Sequence, residues 1–199
     1  MDSQQILPKE LGIREQKRRY VLDTVQKEAI ALFTKHGYDA VTVEQIAKET
    51  GISRSTIFRH FASKEAIVLY DSLDSPLADA FRQQPANLTV LEALQGTLKE
   101  TFSKLKMADS EVQRQRDVLI HDIPELRAAM LSELAGNIDT FAILIAERIN
   151  RTPDDLEIRT FASALTGIAI GIFLDNKSQP GNIDRFSEAL AELESSLRM

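Results

Sequence analysis

No cysteine occurs among the 199 residues, which excludes disulfides and thiolate metal sites and fits a reducing compartment such as the cytoplasm. Glycine and proline are scarce, at 8 and 6, so the long uninterrupted stretches suit helices better than a many-stranded sheet. Only three histidines are present, His36, His60 and His121, and none has an HxxxH or ExxH partner at helical spacing. There is no glycine-rich phosphate loop and no Ser-His-Asp set, so neither catalysis nor a metal or other cofactor is expected. The opening "MDSQQILPKELGIREQKRRY" lacks an apolar h-region, and no signal peptide is read there. The longest nearly apolar run, Phe161 to Leu174, is too short for a membrane span and reads as a buried helix.

What is present is an ordinary soluble composition, 43% hydrophobic and 27% charged, with an uneven charge distribution. The formal net charge is -6, yet residues 1–70 hold 11 Lys and Arg against 9 Asp and Glu, while the rest hold 13 against 21. One end of an acidic chain is therefore locally basic. Lys9, Arg14, Lys17, Arg18 and Arg19 cluster there, either as a footprint for phosphates or as a solvated helix start.

Helical periodicity organises that end. Leu22, Val25, Ala29, Leu32 and Phe33 recur at three- and four-residue steps up to Gly37. Thr42 and Gln45 form a capping-box pattern for a second helix with Val43, Ile46 and Ala47 inward, stopped at Gly51. Ser53 opens a third, "RSTIFRHF", with Ile57, Phe58 and Phe61 assigned to the core, and Ser63 opens a fourth. Ala47, Gly51 and Ile57 stand where a helix-turn-helix needs a small residue, a turn glycine and an aliphatic lock. Such a motif leaves the outer face of its second helix free for a major groove, and here that face carries Arg54, Ser55, Thr56, Arg59 and His60. An arginine there can take a guanine edge through two hydrogen bonds.

Beyond the fourth helix the pattern is architectural. Helices are predicted from Pro76, over "LTVLEALQGTLKETFSKLK" and "SEVQRQRDVLIHDI", from Pro124 to Ile149, from Pro153 to Leu174 and from Ile183 to Leu197. The penultimate helix is apolar nearly all round, so Leu165, Ile168 and Ile172 are candidates either for a buried helix of one chain or for a dimer face.

Residues 14 to 67, above all "ALFTKHGYDAVTVEQIAKETGISRSTIFRHFASKEAI", resemble the DNA-binding domain of TetR-family transcriptional regulators. "GIREQKRR" with "TIFRHF" is further similar to the subgroup that includes mycofactocin-system regulators. The resemblance implies an all-α fold: a basic arm over 1–13, a three-helix helix-turn-helix DNA-binding domain over 14–62, and a helical bundle for ligand binding and dimerisation over 63–199. It implies phosphate contacts from Thr42, through its backbone amide or hydroxyl, and from Lys64, base or phosphate contacts from Ser53, and a homodimer through the last two helices with Leu190 and Leu193. Many family members carry a tyrosine where this chain has Phe58, so that hydroxyl is missing. A small-molecule pocket in the bundle is implied as well, with Tyr70, Phe102, His121, Leu134, Phe141 and Phe161 as its candidate lining. The absence of a conspicuous polar cluster points to a lipophilic effector. The expected partners are thus palindromic double-stranded DNA, a second copy and an effector, with no membrane. The competing reading is a DNA-bound protein-interaction module that senses no metabolite.

Overall fold

The computed structural model describes residues 12–71, 74–105, 110–175 and 182–197, all helical or in short connections, with no strand among them. The all-α fold class holds. The chain divides into two compact units, Met1–Ile67 and Val68–Met199. The expected arm over 1–13 lies outside the described residues up to position 11.

The first unit is built on α1 (Ile13–His36), whose Leu22, Val25, Ala29, Ile30 and Phe33 are buried. Gly37 ends it at φ 86°, returning its N–H to Phe33. Helix α2 (Val43–Thr50) begins with the capping box: Gln45 N donates to Thr42 Oγ1 and Thr42 N donates to Gln45 Oε1 at 2.7 Å. It ends on Gly51, left-handed at φ 67°. The Thr50 hydroxyl donates back to Ile46 O and accepts from Ile52 N, tightening the turn. Helix α3 (Arg54–His60) is capped by Ser53, which accepts from Thr56 N, and is locked inward by Ile57 and Phe61. Helix α4 (Lys64–Leu69) starts under Ser63, whose Oγ accepts from Ala66 N.

The second unit comprises α5 (Asp74–Gln83), α6 (Val90–Leu105), α7 (Ser110–Asp122), α8 (Pro124–Ile149), α9 (Leu156–Asp175) and α10 (Asn182–Leu197). Proline at N1 opens α8 and left-handed Asn150 closes it. Its main core gathers Leu98, Ala142, Ile145, Ala146, Ile158, Ala162, Leu165 and Leu190 from α6, α8, α9 and α10. A smaller one joins Phe81, Ala93 and Leu144. Arg148 holds the α5–α6 connection by donating to the carbonyls of Gln84, Pro85 and Leu88.

Several expectations need correction. Helix α9 begins at Leu156 and not at Pro153, because Thr152 to Asp155 close a turn in which Asp155 N donates to Thr152 O. At 20 residues α9 is longer than its apolar run, and both it and α8 are long and apolar enough to cross a membrane by length and composition. Their apolar residues instead contribute to the bundle core. Leu165 and Leu190 are fully buried in that core, so they join α9 to α10 within one chain and present no free surface.

Candidate nucleic-acid interface

Gly51 and Ser53 decide what α3 shows to solvent. The left-handed glycine reverses the chain within three residues, the Ser53 cap fixes the start of the helix, and buried Ile57 sets its rotation. The exposed face that results consists of Arg54, Ser55, Phe58 and Arg59, with Thr56 and His60 half-buried at its margins. Ser53, Ser55 and Thr56 share hydroxyl hydrogen bonds, Ser53 to Ser55 at 3.0 Å and Ser53 to Thr56 at 2.8 Å. Thr42 is exposed, but its backbone amide is taken by Gln45, which leaves only its hydroxyl proton for a phosphate. On the first turns of α1, Arg14 and Lys17 are exposed and Arg18 pairs with Glu15 at 3.2 Å.

Two assignments change. Phe58 is not core: it is 43% exposed, and the Arg54 guanidinium lies over its ring at 5.2 Å. Ile57 and Phe61, on either side, already fill the inward positions. Lys64 does not project toward a ligand: its ammonium donates to Tyr38 O at 2.7 Å and Val41 O at 3.3 Å, 4.0 Å from the Tyr38 ring centre. Those contacts pin the loop between α1 and α2. His60 is held below its ordinary value by burial first, then by Arg59 and Arg18.

Residues that sequence reasoning passed over also matter. Glu44, on the first turn of α2, meets Arg54 Nε at 2.9 Å; no sequence spacing rule joins positions on two different helices. Within the second unit, which begins at Val68 in the last turn of α4, Arg116 is buried and donates to Val68 O at 2.7 Å and Leu69 O at 2.8 Å. Burial raises the neighbouring Asp117 carboxyl, partly offset by Arg116.

The candidate pocket residues do not form one set. Phe141 and Phe161 are half-buried and pack against the main core, whereas His121 stacks on Phe173 at 4.9 Å. Tyr70 and Leu134 are half-buried, and the Phe102 side chain lies outside the described residues. Thr166 on α9 is buried, and its hydroxyl has no hydrogen-bond partner among the described residues.

The candidate dimer residues divide similarly. Ile168, Ile172 and Leu193 are half-buried, Ile168 against the main core. The exposed side of α9 instead runs through Leu156, Thr160, Ser163, Ala164, Gly167, Gly171 and Leu174, with charges only at its two ends, Glu157 and Asp175. The described residues contain no cluster of three or more metal-ligating side chains.

Comparison with known proteins assigns both units. Residues 27–70 match the family of bacterial regulatory proteins called tetR, and residues 88–198, more than half the chain, match the MftR C-terminal domain. The mycofactocin biosynthesis regulator MftR of Mycobacterium tuberculosis is 30% identical over 147 residues, spanning 73% of this chain and 74% of that protein. This chain is a TetR-family transcriptional regulator. The HTH-type transcriptional regulator TcmR of Streptomyces glaucescens is 34% identical over 102 residues, 50% of this chain and only 45% of TcmR. The fold agrees with the Thermus thermophilus repressor FadR, solved with lauroyl-CoA, at TM-score 0.52 and 19% identity, covering 86% of this chain and 92% of that one. A TetR-family regulator is a DNA-binding protein and not an enzyme, which accords with the absence of catalytic motifs in the sequence.

Proposed function

We propose that this regulator is a cytoplasmic repressor that holds a palindromic operator as a homodimer and lets go when a lipophilic small molecule occupies the bundle of its second unit. The observation that carries the reading is the outer face of α3, where Arg54, Ser55, Phe58 and Arg59 stand exposed on a helix fixed from behind by Gly51 and Ile57. The stripe on α9 supports the homodimer, since its middle, from Thr160 to Leu174, is exposed without a charge and suits contact with a second copy. The half-buried Phe141 and Phe161 and the unpartnered Thr166 hydroxyl support an effector that is mostly apolar with one hydrogen-bonding group. No cofactor and no membrane enter this reading.

Release requires that the effector bind the DNA-free form more tightly, and a tenfold loss of DNA affinity needs about 1.4 kcal/mol of coupling. Sedimentation of the chain with a palindromic duplex tests this: two chains per duplex are expected, and fatty-acyl or aromatic compounds should release them. One chain per duplex would contradict the dimer. Retention in the presence of every compound would favour a protein-interaction module in place of a metabolite sensor.

A further inference from the structure

Arg54 is constrained from two sides. Its Nε meets Glu44 Oε1 at 2.9 Å, and its guanidinium carbon sits 5.2 Å from the centre of the Phe58 ring, one helical turn further along α3. Neither contact is there for the stability of the fold. Arg54 and Glu44 are 62% and 57% exposed, and exposed ion pairs contribute close to nothing. An outward phenylalanine on a seven-residue helix adds no core either.

What the two contacts do is orient. With Nε engaged by the carboxylate, Nη1 and Nη2 are left as the donors at the far end of the guanidinium. That end matches O6 and N7 of guanine, and an arginine fixed in advance loses less rotamer entropy on binding. The Phe58 ring gives the guanidinium a surface to lie against, and its exposed part is an apolar surface suited to a thymine methyl. Glu44 also repels phosphates that approach Arg54 in a wrong register, which weakens non-specific binding while leaving the matched site intact.

We infer that Glu44 and Phe58 are specificity residues that position Arg54 to read a guanine in each half-site. This rests on the operator reading above. The test selects bound duplexes from a random pool with the full chain and compares the wild type with Glu44→Ala, Glu44→Gln and Phe58→Leu, all at exposed positions that leave the fold intact. The wild type should prefer guanine at one position per half-site by roughly tenfold or more, a preference that Arg54→Ala removes. Glu44→Ala should reduce that preference to about two- to threefold, with binding to unrelated DNA unchanged or tighter and the salt slope unaltered. Glu44→Gln, whose amide oxygen still accepts from Nε, should keep most of it, and Phe58→Leu should fall between. Full guanine preference in Glu44→Ala, or equal weakening on all sequences, overturns the inference while leaving the operator reading intact. A wild type that selects no sequence overturns both.

Discussion

The ammonium of Lys64 has three N–H donors, and carbonyls of Tyr38 and Val41 accept from it at 2.7 and 3.3 Å. A side chain so engaged is scaffold for the α1–α2 loop. Lys64→Met, which keeps most of the apolar stem, should therefore destabilise the first unit by about 1.5–3 kcal/mol, seen as a lower thermal midpoint, with the salt dependence of DNA binding unchanged. An unchanged melt with a salt slope flattened by about one unit would return Lys64 to the phosphate contacts. His60 carries the pH prediction. Its pKa is lowered below the ordinary 6.5, by burial, Arg59 and Arg18, so the folded chain binds fewer protons than the unfolded one in that range. The stability this gives is complete above about pH 6.5 and is lost as the pH falls toward the lowered value. Phosphates close to His60 would favour its charged form, so DNA affinity should rise between pH 7.5 and 5.5, and His60→Gln should flatten that rise in a fluorescence-anisotropy titration. At this scale the sequence was half legible. The residue types on the outer face of α3 could be read from helical spacing, but the partners of Lys64 lie in a loop and the Glu44 partner of Arg54 on another helix, which no local pattern encodes; the Arg54–Phe58 pair is local, four apart on α3, and was passed over because Phe58 was assigned to the core.

The turn between α2 and α3 was legible because its chemistry is local. Thr42 with Gln45, Gly51 and Ser53 each act within four residues of themselves, and all take the geometry their types demand. Gly51 is required by its φ of 67° and not by crowding, since an added Cβ would meet nothing within 4 Å. Gly51→Ala should cost about 1–2 kcal/mol, and Gly51→Asn less, in a circular-dichroism melt. Equal melts for glycine and alanine would remove the turn from the account. Helix ends were read well where a proline or glycine marks them, as at Pro124 and Gly37. The start of α9 was misplaced because Pro153 belongs to a turn that precedes the helix, and proline suits either position.

Across the whole molecule, periodicity was enough to give the ten helices found among the described residues but not the destination of each apolar face. Helix α9 is apolar on nearly every side, so its sequence cannot distinguish Leu165, buried against Leu190 in its own chain, from the exposed stripe through Gly167 and Gly171. Packing makes that distinction, and it moves the proposed dimer contact from the large residues to the small ones. Gly167→Glu places a charge on that stripe where an added Cβ meets nothing within 4 Å of it. The variant should stay folded, sediment as a monomer and bind a palindrome at least tenfold more weakly; a dimer unchanged by the charge would put the interface elsewhere. The charge distribution belongs to this scale too, for an overall -6 conceals an excess of Lys and Arg over Asp and Glu in residues 1–70.

The central claim is that this regulator reads sequence, and a genome-wide selection of DNA fragments by the purified chain tests it most directly. The account predicts one enriched palindrome whose half-sites lie about 34 Å apart, one helical turn of DNA, with a guanine in each. Salt-sensitive retention of fragments with no enriched sequence would contradict it, leaving a basic head that grips phosphates alone.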